Sequence, residues 1–390
     1  MHAILAKAGL RIKNEVNAYS LKIIDYPTSP FCDRPGAWPR PYVLFSGSMS
    51  ATLSDIAKDL NISVVTVSKA LRNKGRISAR TRTRVLKRAK ELDYRPNWVA
   101  RSLVTRRTYT IGLLLPDFTH PFFADIAKTI AETVRPRGYH VLISYFEEDP
   151  GLERVEADSL LARRVDGLIL ASSQSPDGLE LFDQLRSRKI PLVLIDRPIE
   201  GVRASFVGVD NEAVGGMATT HLIEQGCRRI AHLRGPQMGL AEKRLSGYLA
   251  SLKKNKLAAP KGYVVDAGFQ DHTGYLAMKQ LLTAGPVPDG VFCYNDPVAI
   301  GAMKALREAG LKVPEDVAVA GAGNVHYSDA LAVPLTTVDQ KTCEIGARAA
   351  ELLLGQIGSK RPPRPERILI IPELVPRKST ERPIFQPSTR

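Results

Sequence analysis

Between residues 52 and 93 apolar side chains recur three and four positions apart, whereas beyond residue 109 the rhythm changes to short apolar runs separated by helix-length stretches. The first pattern predicts three short helices, TLSDIAKDL, SVVTVSKAL and SARTRTRVLKRAKEL, with Ile56, Ala57, Leu60, Val67, Leu71, Val85, Leu86 and Ala89 turned toward a common core. The second pattern predicts strands at YTIGLLL, YHVLISY, DGLILA, IPLVLID, FVGVD, RRIAHL, YVVDAG, GVFCY and DVAVAG. Runs of this kind, alternating with helices, belong to parallel sheets covered on both faces. About 280 residues exceed one such unit, so two α/β lobes with a ligand cleft between them are expected.

The connectors in the helical segment are tight and chemically specific. Thr52 precedes Asp55 by three residues, the spacing of a capping box. Asn61 stands between the first two helices, where a left-handed residue is needed, and Ser63 is placed to cap the second helix. Residues 1–48 end in a Pro- and Gly-rich stretch and show no sustained period. They read as an extension without a fold of its own, either a tail or the product of a start set too far upstream of Met49.

Charge changes the picture. The net charge is +15, but residues 49–107 alone hold 15 Lys and Arg against 4 Asp and Glu, and residues 1–48 hold 6 against 3. The other 283 residues are left near neutrality, so the basicity sits in one short segment, which is the footprint of a polyanionic partner. A helix, a three-residue turn and a Ser-capped second helix form a helix-turn-helix, whose second helix enters a DNA major groove. Val67, Ala70 and Leu71 face inward, leaving Val64, Val65, Ser68 and Lys69 to meet base edges. Arg72, Arg76, Ser78 and Thr81 suit phosphate oxygens, and Thr52, Leu53, Ser63 and Thr66 complete the expected DNA-contacting set. A cation-rich bundle that is merely solvated is the competing reading, against which stand the two outward valines and the scarcity of acids. In RPNWVARSL, Pro96 suits a helix start, and Val99, Ala100 and Leu103 would share one side of a helix too short to stand alone.

The run from TLSDIAKDL through RPNWVARSL, followed by TYTIGLLLPDFTHPFF, resembles the lac repressor family of bacterial transcription regulators. The likeness continues through VDGLIL, IPLVLIDRP, VGVDN, GCRRIAHLRG, YNDPVAIGAMKAL and PLTTVDQ to about Val375. It implies a small all-α helix-turn-helix domain joined to an α/β two-lobed core of the type I periplasmic-binding-protein kind, with parallel doubly wound sheets. The expected layout is an extension over 1–48, the DNA-binding domain over 49–95, a hinge helix and linker over 96–107, the core over 108–380 and a tail over 381–390. Within the core the first lobe is expected at about 108–208 and 323–358, the second at about 209–322 and 359–380.

By the same resemblance the protein is a homodimer or tetramer on a pseudo-palindromic double-stranded operator. Leu103 wedges into the minor groove, with Asn97 and Ala100 beside it. A small effector, by family expectation a carbohydrate or related metabolite, occupies the cleft. Position by position, Arg244 and Asp296 match the effector-binding arginine and aspartate. Phe269 matches an aromatic that stacks on the ligand, and Asp117, Phe122 and Phe123 line the opposite wall. The bland alternatives are an ion pair or helix cap for Arg244 and Asp296, and plain core for the phenylalanines. The chain departs from the family at His120, where Asn is common, and at Ala322 and Gly323, where an aromatic and an acid are common.

Other function classes fare less well. GAGNVH follows a strand, but His326 replaces the third glycine of a dinucleotide loop, and HExxH, G-x-S-x-G and Walker motifs are lacking. An enzyme is therefore not expected, nor a cofactor. A transport-type binding protein would share the core but not the basic segment. Cys32, Cys227, Cys293 and Cys343 lack disulfide or metal-ligand spacing and read as reduced thiols. The first residues form no secretory run, and no apolar stretch suits a membrane span, so a cytoplasmic, nucleoid-associated protein is expected.

Overall fold

In a computed structural model of the chain, the described residues are 51–382 except 74, 96–101, 103, 104, 118, 176, 177, 237, 238 and 360–362. The extension over 1–48 and the hinge positions Asn97, Ala100 and Leu103 lie outside them. The chain divides into two compact units, one up to Trp98 and one from Val99 onward.

The first unit contains helices α1 (Leu53–Leu60), α2 (Val64–Leu71) and α3 (Ala79–Glu91). The predicted caps are present. Thr52 and Asp55 form the capping box, Asn61 is left-handed at φ 49°, and the hydroxyls of Ser63 and Ser78 accept from the amides of Thr66 and Thr81. Ile56, Ala57, Val67, Ala70, Val85 and Ala89 form the core, with Leu60 and Leu71 partly buried against it. Leu86 departs from the expected pattern. It is 49% exposed, because Val85 and Ala89 already fill the α3 face that meets the other helices.

The second unit builds one six-stranded parallel sheet from β1 (Thr110–Leu115), β2 (His140–Tyr145), β3 (Gly167–Leu170), β4 (Leu192–Ile195), β5 (Ser205–Val209) and β11 (Arg367–Ile370). Their order across the sheet is β11-β5-β4-β3-β1-β2. The second sheet holds β6 (Ile230–Arg234), β7 (Val264–Asp266), β8 (Gly290–Cys293), β9 (Ala318–Ala322), β10 (Thr336–Asp339) and β12 (Glu373–Val375), in the order β12-β10-β9-β8-β6-β7. Only β12 runs antiparallel to its neighbour in that sheet. The central strands are buried along their whole length, as continuous Val, Leu and Ile runs require.

Helices cover both faces of each sheet. The first lobe carries α4 (Pro121–Val134), α5 (Pro150–Ala162) and α6 (Glu180–Ser187), and the second α7 (Asn211–Glu224), α8 (Gly239–Lys254), α9 (Asp271–Ala284) and α10 (Asp296–Glu308). The last helix, α11 (Thr342–Gly358), returns to the first lobe, where Ile345, Ala349 and Leu353 share a core with Ile126 and Ile130. Backbones of α7 and α8 approach closely at Gly215 and Gly247. A Cβ on Gly215 would meet the Arg244 carbonyl at 2.0 Å.

The nine predicted strands all form, but β10, β11 and β12 escaped prediction, and with them the lobe boundaries move. Residues 323–339 belong to the second lobe, because β10 pairs with β9 there, and residues 359–370 belong to the first, because β11 pairs with β5. The chain thus crosses between lobes after β5, after β10 and between β11 and β12. Cys227 and Cys293 are buried free thiols and Cys343 is an exposed one. Burial pushes the Cys227 thiol up to about 11. Among the described residues no helix is long and apolar enough to cross a membrane.

Candidate functional site

On the first unit the start of α2 has the predicted surface. Val64 and Val65 are 42% and 62% exposed beside exposed Lys69, Arg72 and Arg76, while Val67 and Ala70 are buried. Ser63 and Ser78 each hold a second threonine hydroxyl, those of Thr66 and Thr81, both at 2.8 Å. Two helix N-termini therefore present paired hydroxyls and free amides, an arrangement suited to phosphate. One detail differs from expectation. Arg72 folds back to donate to the Ser68 carbonyl at 3.1 Å and its hydroxyl at 2.8 Å, so these two side chains act as a pair.

On the second unit the strands of both sheets end at a shared cleft. The residues just after them line a cavity: Asp117 follows β1, Glu148 β2, Asp196 and Arg197 β4, Phe269 β7, Tyr294 and Asn295 β8, and Gln340 β10. Loops at the carboxyl ends of parallel strands are where open α/β sheets hold ligands. Two of these residues are held in left-handed backbone, Glu148 at φ 60° and Asp196 at φ 62°. Strain of this kind in non-glycine residues gathers at functional sites.

Arg244, on α8, lines this cavity while only 3% exposed. Its Nε donates to Asn211 Oδ1 at 2.8 Å, one terminal nitrogen to the Tyr294 carbonyl at 2.5 Å, and the other to Gln340 Oε1 at 2.7 Å. Its guanidinium also lies 4.5 Å from the Tyr294 ring centroid. Asn211 and Gln340 stand in two of the three lobe-crossing segments, so one planar cation ties the cavity wall to both. Arg197 forms a bidentate pair with Glu148 at 2.5 and 2.6 Å and lies 3.6 Å from Asp196. Burial pushes the Glu148 carboxyl up, but the bonds from Arg197 more than offset this and hold it below the ordinary range. Asp196, buried and facing only ion-pair relief, is raised.

Of the residues predicted from sequence, Asp117, Phe122, Phe123, Arg244 and Phe269 come together around this cavity. Phe122 and Phe123 also belong to the first lobe's core, so each lines the cavity and packs in the core at once. Asp296 does not reach the cavity wall. It is fully buried and accepts from Val325 N at 3.0 Å, Ser328 Oγ at 2.9 Å and Thr337 Oγ1 at 2.6 Å, which makes it a strut behind the Ala322–Val325 wall. Its neighbour Asn295 is the one that faces the cleft, donating to the Phe269 carbonyl at 2.8 Å. Sequence reasoning missed Glu148, Asp196, Arg197, Asn295 and Gln340. Glu148, Arg197 and Asn295 lie one to three residues past a predicted strand and Asp196 ends one, which is the signal that would have found them, whereas Gln340 follows β10, which was not predicted.

His120 caps α4, its Nδ1 accepting from Phe122 N at 3.3 Å, and its Nε2 lies 3.3 Å from Asn295 Nδ2 across the cleft. Burial is the main cause that lowers its pKa. The segment GAGNVH runs from β9 into turns and not into a helix, so it lacks the helix N-terminus that a dinucleotide loop needs.

Comparison with known proteins fits this division. Residues 52–97 match the model of the lacI family of bacterial regulatory proteins, and residues 219–380 match a periplasmic binding protein-like domain. The ribose operon repressor of Halalkalibacterium halodurans is 36% identical over 331 residues, which cover 85% of this chain and 97% of that one. Among solved structures, a lac repressor dimer bound to operator and the anti-inducer ONPF aligns with a TM-score of 0.76 at 27% identity, covering 85% of this chain and 99% of that one. The transcriptional regulator CelR in complex with cellobiose aligns at 0.64 with 32% identity, covering 84% and 99%. A basic helix-turn-helix unit ahead of a two-lobed cleft, matched along its length by these regulators, places the chain in the lacI family of bacterial regulatory proteins, DNA-binding transcription regulators governed by small-molecule effectors.

Proposed function

We propose that this chain is a cytoplasmic, non-catalytic repressor whose cleft takes a neutral polyhydroxylated ligand of the sugar class, and that the ligand alters operator affinity through Arg244. The carrying observation is the fork of Arg244, which joins the cavity to Asn211 and Gln340 in two lobe-crossing segments. A ligand that displaces or reinforces any arm of this fork changes how the lobes sit on their hinge, and a two-state element of that kind is what coupling between sites requires. Closure of the lobes then alters the presentation of the paired DNA-binding units.

The composition of the wall favours a neutral ligand. Both guanidiniums are already engaged, Arg197 by Glu148 and Arg244 by amide and carbonyl oxygens, and three carboxylates, Asp117, Glu148 and Asp196, face the same space. Such a site accepts hydroxyl donors and repels phosphate or carboxylate. Phe269, Phe122, Phe123 and Tyr294 supply apolar faces for a sugar ring. The cellobiose of the CelR complex and the ribose in the name of the Halalkalibacterium halodurans repressor lend support to this class.

The test has two stages. DNA sites are selected in vitro with the full chain, and a thermal-shift panel then pairs neutral sugars with their phosphate esters. A neutral sugar should stabilise the protein and change its affinity for the selected site, while its ester does neither. Stabilisation by the ester alone would overturn the ligand class.

A further inference from the structure

The near-neutrality of the core hides an asymmetry in where its cations lie. Every strand of the first sheet runs in the same direction, so the loops that precede them share one edge, opposite the cleft. On that edge Arg135 and Arg137 precede β2, Arg163 and Arg164 precede β3, and Arg188 and Lys189 precede β4, all six exposed. These loops are neighbours, because β2, β1, β3 and β4 are adjacent in the sheet. Two of the nearby acids have local partners. Asp166 accepts from the amides of Thr108 and Tyr109 at 2.8 and 3.0 Å, and Asp183 pairs with Arg186 at 2.9 Å.

Cations at helix C-termini are favoured by the helix dipole, and that alone would explain Arg163 or Arg188. It does not explain Arg164 and Lys189. Both sit one residue further on, in left-handed backbone at φ 56° and 55°, where glycine is the unstrained choice. In the second lobe the turns after α7 and α10 use Gly226 and Gly310 at this position, although Lys256 fills it after α8. The second lobe also sets acids beside its edge cations, Asp289 against the amides of Arg228 and Arg229, and Glu315 and Asp316 near Lys312. Counted alike, the loops before β6, β7, β8 and β9 hold five cations and three acids, whereas those before β2, β3 and β4 hold six cations and one acid, Asp166.

The position of this row in the chain suggests its partner. The polypeptide enters β1 at this same edge, and Arg107 lies twelve positions after Arg95, at the end of the DNA-binding unit, a reach of at most about 40 Å. We propose that the edge formed by the loops before β2, β3 and β4 is a second DNA-contacting surface, which binds duplex phosphates without reading sequence. Counterion release from these contacts adds to that from the helix-turn-helix unit. This inference rests on the DNA-binding reading of the chain.

The full chain carrying Arg137→Ala, Arg164→Gly and Lys189→Gly tests it, the glycines being suited to left-handed backbone so that the fold is kept. A control variant, Lys253→Ala, Lys256→Gly and Lys261→Ala, removes the same charge from the other lobe. Affinity for a duplex bearing the selected site and for a random duplex is measured by fluorescence anisotropy at several salt concentrations. The edge variant should weaken binding to both duplexes alike and lower the slope of log affinity against log salt by roughly 2 to 3. The control should match the unmodified chain. Equal effects from the two variants, an unchanged slope in the edge variant, or a loss confined to the selected site would each overturn the proposal. Failure of the unmodified chain to bind any duplex would instead overturn the DNA-binding reading itself.

Discussion

Asn295 Nδ2 lies 3.3 Å from His120 Nε2, and this contact crosses the cleft from the second lobe to the first. The amide cannot turn over without loss, because its oxygen accepts from Val298 N at 2.9 Å and its nitrogen donates to the Phe269 carbonyl. The other ring nitrogen faces the Phe122 amide. Two N–H donors thus aim at a ring that has one lone pair when neutral and none when protonated.

His120 should therefore titrate below its ordinary value of 6.5, and the stability drawn from its neutral ring should be fully present above that pH and be lost as pH falls through the lowered pKa. Burial drives the shift, Arg197 and Arg244 reinforce it, and Asp117 and Glu148 oppose it. An imidazole Cε1–H titration by NMR, assigned through His120→Asn, checks this. A midpoint at or above 6.5 would contradict the buried contact.

A second histidine sets the acid limit of the fold. His232 is fully buried, stacks on Phe292 at 4.5 Å and bonds the Phe292 carbonyl through Nδ1, while Nε2 has no partner. Burial lowers its pKa to about 4, so stability is complete above pH 6.5 and falls by roughly 3 kcal/mol as pH approaches 4. In His232→Gln the melting temperature should be lower at pH 7.5 but change less with acidification, and a parallel pH profile would count against this origin.

Asp296→Ala should act on stability before it acts on any ligand. Three donors, from Val325, Ser328 and Thr337, lose their buried acceptor, a loss of about 3 to 5 kcal/mol in urea unfolding. A variant of normal stability that had lost only its effector response would return Asp296 to the binding site.

Arg244→Lys keeps the charge but not the fork. With a stabilising sugar in hand, the ratio of operator affinities with and without it should shrink toward one, a loss of about 1 to 3 kcal/mol of coupling. Basal operator binding should persist. An unchanged ratio would remove Arg244 from the relay.

Val65→Asn should leave stability within about 0.5 kcal/mol, because the side chain is 62% exposed, yet alter the selected DNA sequence at one base pair per half-site. Repeating the in vitro selection with the variant provides the comparison, and an identical consensus would place Val65 off the bases.

The readable parts of the sequence were those where a local rule decides the outcome. Thr52, Asn61 and Ser63 act on neighbours within four residues, and the nine apolar runs declare strands whatever they pair with, even the exposed edge strand β2. β10 is half threonine, and β11 and β12 are edge strands with exposed positions, so neither burial nor period marked them. The cleft was half legible for a related reason. Aromatic and cationic residues in motifs shared with the family stood out, but Asp296 and Asn295 are adjacent letters whose roles separate only when the helix start turns one toward the cleft and the other toward Thr337.

The three crossings between lobes also order events during synthesis. The first lobe lacks α11 and β11 until residue 370 has emerged, and the second lacks β10 and β12 until residue 375. The helix-turn-helix unit is complete by residue 95, with contacts that are all local. A nascent chain therefore completes its DNA-binding surface about 280 residues of elongation before it completes the cleft through which a metabolite could act on it.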